Sequence, residues 1–282
     1  MPDFDRRLTP ARGDLAADSL RGQIEAPRFV KGAIHQIIEG VADLRESPRQ
    51  DSRLESQVLF GETFTVYDMR DGWAWGQSGR DAYVGYIAAA ALSPHIFTPT
   101  HRVQALATLA FPERNIKSAP HVSLTFNAKV AVETVEGRFA KIGLLGWVPA
   151  SHLAALDARA SDWVATAERF RGAPYLWGGK TLIGMDCSGL VQTALESAGI
   201  VTPRDSDLQE AALGAPIALN ADLSGLQRGD LVFWKGHVGI MRDAVTLLHA
   251  NAFHMQTESE PLADAVKRGL ALNDPVTSVR RL

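Results

Sequence analysis

Cys187 is the only cysteine in a chain of 282 residues. It can close no internal disulfide and build no multi-cysteine zinc site. Three roles stay open for it: apolar filler, incidental thiol or nucleophile. Free cysteine is among the most buried residue types, which favours the filler. Its position argues otherwise. Cys187 opens CSGLVQTALESAGI (187–200), where Leu190, Val191, Ala194, Leu195 and Ala198 share one helical face. Asp186 is a candidate N-cap, and Gly199 suits the residue just past the C-terminus. A helix start favours the thiolate, which is the nucleophilic form. The small residues Ser188 and Gly189 leave room for a substrate carbonyl.

A thiol nucleophile needs a base within hydrogen-bond reach and a group that orients that base. Eight histidines are available, and His237 and His249 stand twelve residues apart in strand-like runs that follow the cysteine. A tight turn around Arg242 and Asp243 would make those runs antiparallel neighbours, with both histidines on one face. His254 rivals His249 for the third position. Each histidine alone reads more readily as a structural or surface residue. Two of them on adjacent strands following a helix-start cysteine shift that balance considerably.

The elements that must position these groups fall into regions. The first thirty residues are polar with scattered Pro and Gly, and read as an arm or short helix. Residues 31–95 hold short β-like runs, HQII (35–38), QVLF (57–60), TFTVYD (63–68), WAWG (73–76) and YVGYI (83–87), separated by turn residues. That pattern predicts a small, curved barrel. Residues 96–157 repeat the outline, and YVGYIAAAAL (83–92) aligns with GWVPASHLAAL (146–156), an internal repeat of about 64 residues. From 158 to 282 the spacing turns helical and then strand-like, with Ser161 as the expected cap of a helix over 161–172. The fold class expected there is α+β.

Composition narrows the partners. The 29 Lys and Arg against 32 Asp and Glu leave a net charge of −3, which does not suit a nucleic-acid binder. Residues 1–30 lack an apolar run of signal-peptide length, and no stretch is long enough to span a bilayer. The expectation is a cytoplasmic chain with no membrane partner. WGGKT (177–181) ends like a phosphate-binding loop, but Pro174 stands where that motif needs glycine. The aromatics at 73, 75, 83 and 86 read as barrel core, and no basic groove accompanies them as a stacking platform would require.

APYLWGG (173–179), MDCSGLVQTAL (185–195), PRDS (203–206), LQRGDLVFWKGHVGIM (226–241) and LLHAN (247–251) together resemble the NlpC-type cysteine peptidases, papain-like enzymes that cut bacterial cell-wall peptides. The resemblance covers nearly all of 160–255. It implies a papain-like fold with Cys187 as nucleophile, His237 as general base and acid, and His249 as the group that orients His237. It also implies Tyr175 as an oxyanion donor beside the backbone N–H of Cys187.

The two preceding regions resemble bacterial SH3-like barrels, which points to a narrower group: γ-D-glutamyl-L-diamino acid endopeptidases that require a free N-terminal L-alanine. That likeness implies that Asp186 and Tyr83 bind the alanine amine, with Glu55 as the barrel acid, and that Ser188 and Ser206 contact substrate. A buried ammonium needs such partners, and a wall that supplies them excludes N-acylated chains. Arg204 reads first as a salt bridge and second as a partner for a substrate carboxylate. The implied substrate is a murein peptide processed in recycling, with no metal or other cofactor. Two other readings remain: a wall-peptide-binding module with vestigial catalysis, and an amidase or acyltransferase on the same fold.

Overall fold

A computed structural model describes residues 4–282. They divide into two compact units, one ending at Leu156 and the other running Asp157–Leu282. No helix among the described residues is long and apolar enough to cross a membrane.

The first unit is almost entirely β. Its opening segment, expected as an arm or short helix, carries a three-stranded sheet of Ala11–Arg12, Leu15–Ala17 and Phe29–Val30. Residues 1–3 of the expected arm lie outside the described residues. Leu15, Ala16 and Ala17 are buried, a run too short to show any periodicity in the sequence. Leu8 packs on the first barrel's core, and the Val84 N–H donates to the carbonyl of Arg7.

The barrel itself is a seven-stranded sheet in which the expected runs appear as Ala33–Ile37, Leu54–Leu59, Thr63–Arg70, Trp73–Ser78 and Val84–Ala88. Val41–Arg45 is an added strand, and Leu92–Ser93 closes the order. Alternation along the strands turns Ile37, Leu44, Val58, Phe64, Ala74 and Ile87 into one core. Register shifts between Leu44 and Arg45 and between Val66 and Asp68 bend the sheet.

Residues 101–155 form short antiparallel ladders around a second core that includes Val103, Leu124, Val130, Ile142 and Val148. The two segments aligned in the sequence share one succession of elements. Val84–Ala88 leads through a 3₁₀ turn at Ala89–Ala91 to Leu92–Ser93. Trp147–Pro149 leads through a 3₁₀ turn at Ala150–His152 to Leu153–Ala155.

The second unit is α+β. Its six-stranded sheet runs, across the sheet, Ala215–Ile217, Ser278–Arg281, Leu231–Trp234, His237–Met241, Thr246–Asn251 and Gln256–Pro261, with every neighbour antiparallel. Four helices accompany it: α1 (Trp163–Glu168), α2 (Cys187–Ser197), α3 (Ser206–Ala212) and α4 (Leu262–Ala271). Asp162 caps α1 in place of the expected Ser161, its side chain accepting from the Ala165 N–H. Helix α2 is buried nearly all round and packs on the His237–Met241 and Thr246–Asn251 strands. A helix so enclosed is held by its surroundings, which makes its N-terminus a rigid mount.

Candidate active site

Asp186 ends the approach to α2 and caps it, with Oδ1 accepting from the Gly189 N–H at 2.7 Å. The same carboxylate accepts from the Gly178 N–H at 2.8 Å and, less closely, from the Ser188 hydroxyl at 3.4 Å. Arg204 completes the set with Nη1 on Oδ1 at 3.0 Å and Nη2 on Oδ2 at 2.6 Å. Arg204 is 1% exposed, so it is a structural salt bridge and not a carboxylate receptor at the surface. A carboxylate offers about four lone-pair sites, and Asp186 already accepts five donors. A substrate ammonium at Asp186 would have to share these oxygens with Arg204. Arg204 Nη1 also donates to Ser188 Oγ at 2.9 Å, so Ser188 is buried and engaged. Ser206 heads α3 and is buried as well.

Cys187 begins α2 under this cap. Its thiol receives the backbone N–H groups of Val238 and Ser188, which places it against the residue that follows His237. The helix start does favour the thiolate, through the Ser188 N–H, but burial opposes it. Burial, with the Asp186 charge adding to it, pushes the thiol up to about 12, against the opposing pull of the two N–H groups and Arg204. His237 moves the other way: burial first, then His249 and Arg268, lower it to about 3 despite Glu260. Burial thus opposes the charged form of each group.

His237 Nε2 lies 2.9 Å from His249 Nδ1, with ring centres 5.1 Å apart. The pairing follows from the hairpin foreseen in the sequence. Asp243 accepts the Val245 and Thr246 N–H groups, and Ile240 and Met241 then pair with Leu248 and Leu247. His254, the rival, bonds through Nδ1 to Asn251 Oδ1 at 3.1 Å, and its ring centre is 6.4 Å from that of His249. Of the two candidates, His249 is the one bonded to His237.

Tyr175 donates its backbone N–H to the Met255 carbonyl at 2.9 Å. Burial, with the neighbouring Cys187 and Asp186, raises its phenol well above the usual tyrosine value. It therefore remains a hydrogen-bond donor at any working pH. Tyr83 and Glu55 belong to the first unit. Tyr83 is 3% exposed in the barrel core. Glu55 pairs with Arg53 at 2.6 Å, and both Glu55 and Tyr83 act electrostatically on that arginine.

Sequence reasoning missed Glu260 and Arg268. Glu260 lies on the Gln256–Pro261 strand, whose polar run QTESEP carries no apolar alternation. Arg268 sits on α4, where the spacing of Leu262, Ala265 and Val266 was a readable helical signal. His249 Nε2 meets Glu260 Oε1 at 2.9 Å, and Arg268 Nη1 meets Glu260 Oε2 at 3.0 Å. His249, His254 and Glu260 bring ligand atoms within 4.8 Å of one another, the spacing of a metal site. Their chemistry does not suit one. Both nitrogens of His249 are hydrogen-bonded and the carboxylate is clasped by a guanidinium, whose charge repels a cation.

Known proteins resemble the chain in two separate stretches. Residues 172–267 match the NlpC/P60 family model, and residues 44–92 match the bacterial dipeptidyl-peptidase SH3 domain. The dipeptidyl-peptidase 6 of Lysinibacillus sphaericus is 38% identical over 31% of this chain and 31% of its own length, so the match spans about a third of that relative. The γ-D-glutamyl-L-lysine dipeptidyl-peptidase of Bacillus subtilis (strain 168) is 28% identical over 71% of this chain and 73% of its own. The fold is that of an NlpC/P60 family protein from Bacillus cereus ATCC 10987, whose crystal structure superposes with a TM-score of 0.73 at 20% identity, covering 88% of this chain and 99% of that one. Residues 172–267, which hold Cys187, His237, His249 and Glu260, are an NlpC/P60 family domain preceded by a bacterial dipeptidyl-peptidase SH3 domain.

Proposed function

We propose that the chain is a cysteine peptidase that hydrolyses the bond between γ-D-glutamate and the diamino acid in peptidoglycan stem peptides carrying a free N-terminal L-alanine. The observation that carries this reading is the part-buried His237–His249 hydrogen bond beside the Cys187 thiol at the head of α2. The names of the relatives support the substrate class.

In this mechanism His237 takes the thiol proton as the sulfur attacks the γ-carbonyl carbon, which avoids a standing buried thiolate. The Tyr175 hydroxyl and the backbone N–H of Cys187, in the unpaired first turn of α2, stabilise the oxyanion. As the tetrahedral intermediate collapses, His237 protonates the departing amine and leaves a thioester. Water, deprotonated by the same imidazole, attacks the thioester, and its hydrolysis returns the thiol. Tyr83, Glu55 and Asp186 are the proposed ligands of the alanine amine, with Ser188 and Ser206 as further substrate contacts. Free stem peptides are fragments of the wall and not the intact polymer, so the reading includes a recycling role in the cytoplasm.

Incubation with L-Ala-γ-D-Glu-diaminopimelate should release L-Ala-D-Glu, read by mass spectrometry, and N-acetylation of the alanine should abolish release. Cys187→Ala should give no product. Turnover persisting in that variant would refute the mechanism, peptide binding without any hydrolysis would favour a vestigial binding module, and a different product would indicate an amidase or acyltransferase.

A further inference from the structure

The His237–His249 pair does not end at His249. Beyond it the chain of contacts continues to Glu260, through His249 Nε2 at 2.9 Å, and then to Arg268, which grips both carboxylate oxygens. The guanidinium is in turn stacked on the Phe253 ring, 4.1 Å from its centre. Charged and titratable groups reach this chain from several elements: His254 after the Thr246–Asn251 strand, Arg268 from α4, and Asp264 acting on Arg268. Glu260 is the member whose hydrogen-bonding role is unambiguous. Held ionised by His249 and Arg268, well below the usual carboxylate range, it can only accept.

One acceptor at the end of a chain of imidazoles dictates every proton position along it. An accepting Glu260 requires the proton of neutral His249 to be on Nε2. His249 Nδ1 is then a lone pair and must accept from His237, so the proton of His237 is on Nε2. That leaves His237 Nδ1 unprotonated. We propose that Glu260, clamped by Arg268, is a positioning residue that sets the tautomers of His249 and His237 and so keeps His237 Nδ1 free to act as the base. The inference rests on the peptidase reading for its consequence, but the proton positions themselves can be measured without any substrate.

Removing the acceptor makes a sharp test. In Glu260→Leu nothing accepts from His249 Nε2, so the proton positions along the chain are no longer dictated. Part of the population then carries the His237 proton on Nδ1. The resting protein, ¹⁵N-labelled in histidine, is examined by long-range ¹H–¹⁵N correlation, with signals assigned from His237→Gln and His249→Gln variants. The expected result is an Nε2–H tautomer for both residues in the unaltered chain. Finding the proton of His237 on Nδ1 there would overturn the proposal at once, whether or not any variant folds.

In Glu260→Leu the tautomers should become mixed, and kcat on the tripeptide should fall on the order of 10-fold with KM little changed. Glu260→Asp, which restores an acceptor, should recover part of the rate. A folded Glu260→Leu protein with both tautomers and kcat unaltered would refute the assignment. If the unaltered chain shows no turnover on any stem peptide while the tautomers are as expected, the peptidase reading fails and the positioning role stands.

Discussion

Arg204 and Asp186 form a two-pronged salt bridge beneath the first turn of α2, with Nη1 on Oδ1 at 3.0 Å and Nη2 on Oδ2 at 2.6 Å. Both side chains are nearly excluded from solvent. The bridge holds the cap that aims α2, and with it the sulfur of Cys187. Breaking a buried pair by removing one partner leaves the other charge uncompensated, which typically costs about 3–5 kcal/mol. Arg204→Met should destabilise the protein by that amount in urea unfolding. A loss below about 1 kcal/mol would show that the bridge does not hold the helix start.

Gly189 is the third residue of α2, and its place allows no side chain. A Cβ there would stand 2.3 Å from the Gly179 carbonyl oxygen and 2.9 Å from Asp186 Oδ1. The first obstacle is backbone and cannot rotate away. Gly189→Ala should cost on the order of 1–3 kcal/mol by overpacking. It should also depress turnover more than its stability loss explains, because relief requires moving the start of α2. Unaltered kcat in a destabilised variant would separate the two effects and remove the second.

Tyr175→Phe keeps the ring and deletes the hydroxyl. If the hydroxyl donates to the oxyanion, kcat should drop roughly 100-fold while KM stays close to its original value. An equal rise in KM at constant kcat would make Tyr175 a substrate-binding residue instead.

The shifted histidines set the pH dependence. In its proposed role of base His237 must be neutral, and burial lowers it to about 3 from its ordinary value of 6.5. The acid limb of kcat/KM should therefore lie well below pH 6.5, with activity at pH 5 close to that at pH 7. A limb centred near 6.5 would contradict this.

Stability should move differently over the same range. Between the unfolded value of 6.5 and the folded value, the unfolded chain binds the proton that folded His237 refuses, so stability is full above pH 6.5 and falls as the solution is acidified. The slope approaches about 1.4 kcal/mol per pH unit for each fully coupled histidine, and His249, also lowered, adds to it. Glu260, lowered to about 2, contributes stability that is present above its unfolded value of 4.5 and disappears as pH drops toward 2. Denaturant midpoints between pH 4 and 8 test the sum. A midpoint that rises on acidification would reverse the sign.

Local sequence determined a great deal of this protein. An apolar stripe at helical spacing, an acid before it and a glycine after it define α2 and put Cys187 at its head, because those preferences act over one or two turns. The runs containing His237 and His249 are legible as adjacent strands for the same reason: a hairpin register follows from its turn. Glu260 and Arg268 show what was not legible. A polar edge strand has no periodicity to reveal it, and the carboxylate matters only because the sheet lays it beside His249.

Protonation was equally a matter for the tertiary structure. From sequence, a thiol at a helix start reads as a thiolate. The fold buries that thiol beside Asp186, and desolvation outweighs the helix terminus because an ion loses all its water on burial while a few N–H groups replace only part of it. Sequence chose the residues and their elements. Which of them meet, and how strongly burial opposes their charged forms, was decided by packing.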